Sequence, residues 1–167
     1  MESIVSFFTN NLSNFATNEI IIFIVSLFPI LELRGGLLAA SPSFLNVDFQ
    51  KAIIICIFGN LLPIPFILLF IRKILCLMEA WNYTKPIVIF LKKKVDNKKD
   101  IIEKYGFWGL ILFVSIPLPG TGAWTGALIA SLLHMEIKRT FIAIVIGVLI
   151  ASAIVSLISY GLLPKII

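Results

Sequence analysis

The chain has 167 residues, of which 59% are hydrophobic and 14% charged, and its mean hydropathy is +1.05. A soluble domain carries about 45–50% apolar and about 25% charged residues, so that class is excluded. The formal net charge of +5 is concentrated in one connecting segment, which makes it a topology signal rather than a nucleic-acid footprint.

A hydrocarbon core about 30 Å thick takes about 20 apolar residues per crossing at 1.5 Å of rise per residue. The length therefore accommodates a few membrane elements and little else. Residues 1–19 lack a basic n-region and an early apolar core, so they read as an N-terminal interfacial segment rather than a cleaved signal peptide. Cys56 and Cys76 have neither metal-site nor disulfide spacing and read as packing residues.

Four apolar blocks follow, at 20–45, 52–71, 107–132 and 140–163. The first is interrupted by PILELRGG at 29–36. Proline removes a backbone donor and glycine relaxes helical order, so the block divides into two arms of about ten residues, each about 15 Å long and half a bilayer deep. Such arms suit a re-entrant hairpin whose irregular tip is buried in protein or lines a wet cavity. A kinked helix that crosses once is the alternative. The second block, 52–71, is continuous and uncharged and reads as a transmembrane helix. Within it, Asn60 with Pro63 and Pro65 suggests a kink with a polar lining, or an interhelical hydrogen bond.

The connector 72–105 holds Arg72, Lys73, Lys85, Lys92, Lys93, Lys94, Lys98, Lys99 and Lys104, which the charge rule places in the cytoplasm. Its apolar residues, among them Ile74, Leu77, Trp81 and Leu91, predict a helix lying on the inner membrane surface. The third block, 107–132, is broken at PLPGTG, residues 117–122, and the fourth, 140–163, reads as a second transmembrane helix. In the fourth, Ala143, Gly147 and Ala151 recur every four residues, with Ser152, Ser156 and Tyr160 on an adjacent face, a pattern of helix packing.

An ungapped offset of 88 residues superposes the two halves. Pro29 falls on Pro117, Ala39 on Ala127, Lys51 on Arg139 and Gly59 on Gly147. If both broken blocks are hairpins, each half crosses the membrane once and the repeats are inverted. The predicted fold is thus an all-α integral membrane protein, an inverted repeat of re-entrant helical hairpin plus transmembrane helix. Its repeats cover 20–71 and 106–163, it lies in the cell membrane, and its connector is cytoplasmic.

Glu32 and Arg34 are the only ionisable residues inside the apolar blocks. An intramembrane charge costs at least about 2.5 kcal/mol on insertion scales, so it needs a partner or a function. They neutralise one another in an unwound tip, or Arg34 is a fixed cation for an anionic group and Glu32 a proton-accepting carboxylate. Around Pro117, Pro119, Gly120 and Gly122 the chain restarts a helix whose first turn offers free amides, and the arm after Gly35 and Gly36 offers the same. Thr121 and Thr125 supply hydroxyls and Trp124 an apolar wall. Two helix N-termini with Arg34 make an anion site; alternatively the glycines only let the tips pack closely. His134, alone in a polar loop, reads as interfacial. No catalytic constellation, metal site or cofactor motif is predicted.

The segments FPILELRGGLLAA at 28–40 and PLPGTGAWTGALIA at 117–130 resemble the small multi-drug export proteins, over nearly the whole chain. That family is similar to the DedA superfamily, whose facing re-entrant hairpins are implicated in moving lipids, including polyprenyl phosphates, between leaflets. The resemblance places Glu32 on the DedA functional carboxylate and Pro119–Gly120 on the proline-glycine of the second hairpin. DedA proteins carry an arginine shortly after that pair; this chain has Gly122 there, and Arg34 in the first tip instead. The implied function is transport of a small anionic or phosphate-headed amphiphile by a homodimer among membrane lipids, with proton coupling through Glu32. A drug or cation exporter is the alternative reading. A lipid phosphatase is disfavoured because no nucleophile stands beside a base.

Overall fold

The computed structural model describes residues 6, 17–80, 86, 88–89, 93, 100–118 and 120–159. Among these residues the chain is all helical: α1 Asn18–Leu27, α2 Glu32–Ala40, α3 Phe49–Leu61, α4 Ile64–Ala80, α5 Asp100–Ser115, α6 Ala123–Leu132 and α7 Ile137–Ser159. Most of the predicted interfacial segment 1–19 and much of the connector, with Trp81 and Leu91, fall outside the described residues, as do Pro119 and Tyr160.

The first apolar block forms α1 and α2. Phe28, the residue before Pro29, is extended at φ −72°, ψ 134°, because the proline ring disfavours α geometry in its predecessor. The chain then turns through Pro29–Leu31, and Glu32 N–H donates to the Phe28 carbonyl at 2.8 Å. The arms lie side by side, and Asn18 Nδ2 donates to the Leu45 carbonyl at 3.0 Å, tying the start of the first arm to the end of the block. Their tight packing depends on Gly36, where a Cβ would collide with Ser26 Oγ and lie 3.1 Å from the Ile22 carbonyl, both on α1.

Helix α3 starts at Asp48, whose Oδ1 accepts from Lys51 N–H at 3.2 Å as an N-cap. The second block breaks at Leu62–Pro63, within the stretch 60–65 that suggests a kink, and α4 runs on to Ala80, absorbing the start of the connector. Pro63 and Pro65 have no N–H to donate to the ladder, which explains the break. Phe49–Ile71 nonetheless makes a span of 23 residues, and Ile137–Ile158 one of 22, each long and apolar enough to cross a membrane.

In the second half α5 carries a non-helical Gly106 at φ 54°, ψ −121°, and ends at Ser115. Helices α1 and α5 pack on α3 and α7 respectively, and α2 and α6 also touch those long helices. Between halves, α2 packs on α7 and α6 on α4. The core at these crossings is small and aliphatic, with Ala52, Cys56, Ala127, Ala143 and Ile144 fully buried. The stripe Ala143, Gly147 and Ala151 lies buried in it, as a packing face does. Buried Ser26, Ser115 and Ser152 turn their hydroxyls onto carbonyls of their own helices at 2.7–2.8 Å, which keeps those donors satisfied in apolar surroundings.

Matching places recur 88 residues apart. The ends of α1 and α5, Leu27 and Ser115, correspond, as do the starts of α3 and α7, Phe49 and Ile137. Four of the five described residues with positive φ pair in the same way: Glu32 (50°) with Gly120 (79°), and Asn46 (49°) with His134 (60°). The fifth, Gly106, falls on Asn18, the first residue of α1. Gly59 faces the Phe23 carbonyl and Ser26 Cβ, while Gly147 faces the Ile111 carbonyl and Val114 Cβ, each partner again displaced by 88.

Candidate functional site

The two helix breaks meet. Glu32, 6% exposed, sits at the start of α2 in a left-handed conformation uncommon for a residue with a Cβ. Its carboxylate reaches across to the start of α6, where Oε1 accepts from the Trp124 N–H at 3.3 Å and the Ala123 N–H also donates to it. These are first-turn amides with no partner inside their own helix, and the partial positive charge there favours an anion. Gly122, the N-cap of α6, leaves the room: a Cβ there would collide with the Glu32 carboxylate.

Arg34 also reaches into the second break. One guanidinium nitrogen donates to the Leu118 carbonyl, and the other lies 3.5 Å from Thr121 Oγ1. Thr121 in turn donates toward the carbonyls of Ile116, at 2.7 Å, and Leu118, at 2.9 Å, and so folds the loop on itself. Charge and dipole are thus matched across the blocks: a carboxylate on amides, a guanidinium on a carbonyl. The reciprocity follows the 88-residue offset, since Glu32 and Arg34 correspond to Gly120 and Gly122. One break supplies the charged side chains and the other the space and backbone groups that receive them.

Beside this junction lies an apolar cleft of about 380 Å³, walled by Phe28, Pro29, Leu62, Pro63, Phe66 and Trp124. It joins three interruptions of the chain: the α1–α2 break, the α3–α4 break and the start of α6. The Trp124 indole N–H is buried and without a hydrogen-bond partner among the described residues.

Of the other predicted residues, Gly120 takes the left-handed turn and Pro117 lies half-buried beside it. Thr125 is half-buried in the first turn of α6. Gly35 and Gly36 serve packing, on Leu31 and on Cys56 with Ser26. Asn60 is 2% exposed, its Oδ1 without a hydrogen-bond partner among the described residues, just before the α3–α4 break. Sequence reasoning missed that the α6 N-terminus already holds the protein's own carboxylate; the glycines standing 88 residues from Glu32 and Arg34 were the available signal.

Two spans long and apolar enough to cross a membrane, many large apolar side chains at the surface and, among the described residues, a buried charge at the junction of the broken helices fit an all-helical membrane protein. The chain belongs to the small multi-drug export protein family, whose match covers residues 32–154. That range starts at Glu32, just after the first break, and takes in Arg34 and the second break; the family name describes exporters, so the class it points to is a transporter. Neither the comparison with curated proteins nor that with solved structures gives a match.

Proposed function

We propose that this transporter moves a small anionic or phosphate-headed amphiphile across the cell membrane. It does so between two re-entrant hairpins, 20–45 and 107–132, related as an inverted repeat with the transmembrane helices. The observation that carries the reading is the seat of the Glu32 carboxylate on the first amides of α6, with Arg34 on the same loop. A site that stabilises a carboxylate there also receives a phosphate or carboxylate head group. Proton uptake by Glu32 empties the seat, the substrate anion takes it and Arg34 turns to meet the head; loss of the proton returns the carboxylate and expels the substrate. The side-by-side arms of the first block, the places repeating at 88 residues, and the exchange of packing between α2–α7 and α6–α4 support the inverted repeat. The basic connector faces the cytoplasm in this reading, and the working unit is a homodimer.

Export of lipophilic cations is the second reading. It is favoured by the aromatic walls Phe28, Phe66 and Trp124 beside a carboxylate, which suit a cation by ring electrostatics.

The test is the leaflet accessibility of a polyprenyl phosphate in liposomes containing the purified protein, with Glu32→Ala and Arg34→Ala alongside. Faster exchange in the parent that both variants lose is the expected result. No exchange in the parent, with resistance to lipophilic cations that depends on Glu32, establishes the second reading instead.

A further inference from the structure

The cleft beside Trp124 has a counterpart. A groove of about 450 Å³ opens at the outer side of α5 and α7, against the end of the first arm of the second block. The 88-residue offset carries Phe28 onto Ile116, Pro29 onto Pro117, Leu62 onto Ile150 and Phe66 onto Ile154. Four walls of one cleft therefore fall on four walls of the other. Only the proline is identical, so position rather than side-chain identity makes the correspondence. Each cleft forms where the first arm of a block ends beside the middle of the long helix that follows.

Both clefts are apolar. The hydroxyl in the second, on Ser115, is spent on the Ile111 carbonyl at 2.7 Å. Each also has one wall that belongs to the charged junction or adjoins it in the chain. The first is closed by Trp124, whose backbone N–H holds Glu32, and the second by Pro117, the neighbour of Leu118, whose carbonyl holds Arg34. A concave apolar wall that stands next to a charged pair fits a molecule with a hydrocarbon chain and an ionic head.

We infer that the two clefts are paired slots for the hydrocarbon chain of the transported amphiphile, one opening to each leaflet, with the head held at Glu32 and Arg34 between them. The head-group assignment and the opening to opposite leaflets rest on the transport and inverted-repeat reading above; the pairing rests on the correspondence of the clefts. In an inverted repeat the two-fold axis lies in the membrane plane and carries a feature of one leaflet to the other. The chain then stays in an apolar slot at each end of the passage, and only the head crosses the polar junction. This limits the cost of crossing to the head, because each buried CH2 keeps an apolar environment throughout.

The experiment uses hexadecyl phosphate with a mid-chain diazirine, photolysed with the full-length protein in phosphatidylcholine vesicles and mapped by mass spectrometry. Labelling is expected to concentrate at 62–66 and at 150–154, about tenfold above Ile54 and Ile142, and to fall with excess unlabelled hexadecyl phosphate. Ile54 and Ile142 are 56% and 53% exposed and stand outside both clefts. Even labelling of all exposed apolar residues reduces the clefts to ordinary lipid contact and overturns the inference; labelling confined to one cleft overturns the pairing. In exchange assays Leu62→Trp and Ile154→Trp are each expected to slow transport about tenfold, while Ile54→Trp and Ile142→Trp leave it unchanged. If the parent moves no lipid phosphate, the transport reading falls, and the labelling pattern still decides whether the slots exist.

Discussion

Replacing Gly122 by alanine tests the contact on which the site is built. Gly122 has φ −95°, a conformation alanine adopts freely, so no backbone strain enters. What the new Cβ meets is the Glu32 carboxylate, whose three carboxyl atoms are the nearest in the surroundings. Either the carboxylate withdraws from the Trp124 and Ala123 amides, losing charge-assisted hydrogen bonds worth about 1.5–3 kcal/mol, or the blocks move apart, at about 1–3 kcal/mol for overpacking. The cheaper route sets the loss, so Gly122→Ala is expected to destabilise by about 2 kcal/mol. The assay is reversible unfolding in mixed micelles, run as a double-mutant cycle with Glu32→Ala. Once the carboxylate is gone the alanine has room, and the double variant should be no less stable than Glu32→Ala alone. That is a coupling of about 2 kcal/mol, well above the roughly 0.5 kcal/mol within which independent sites add. Additive losses would refute the reasoning, because they would mean that the carboxylate does not occupy the space above Gly122.

Arg34→Lys should fail to restore the transport lost in Arg34→Ala, since an ammonium cannot serve the Leu118 carbonyl and Thr121 with a planar fork; proteoliposome exchange rates check this. Gly147→Ala should destabilise by about 1–3 kcal/mol in the same unfolding assay, because the added Cβ would stand 2.7 Å from Val114 Cβ and 3.2 Å from the Ile111 carbonyl. His134→Gly should stabilise by roughly 0.5 kcal/mol, as relief of a left-handed residue at φ 60° outweighs the extra chain entropy of glycine. Arg139→Ala, which removes the exposed 3.1 Å pair with Glu136, should change stability by less than about 0.5 kcal/mol, measured by the same titration.

Composition and hydropathy alone determined an all-helical membrane chain, because about 20 apolar residues in a row have no other low-energy use. The breaks at Pro29 and Pro117 were legible for a similarly local reason: a proline denies helical geometry to its predecessor and a donor to the ladder. The small-residue stripe on α7 was legible too, since a four-residue spacing lines up one helix face and only packing explains Gly147 beside Val114.

The site was half legible. Glu32 and Arg34 stood out because a charge inside an apolar block costs too much to be incidental. Their partners did not, because Trp124 and Leu118 offer backbone groups, and every residue carries those. Which amides are left free depends on where a helix starts, and which carboxylate reaches them depends on a packing that joins two residues 92 positions apart. The clefts have the same origin, formed by the end of one segment against the middle of another. Local chemistry therefore determined the elements and the rare residues within them, while only the tertiary structure decided what those residues touch, because contact is set by packing between segments that the sequence keeps far apart.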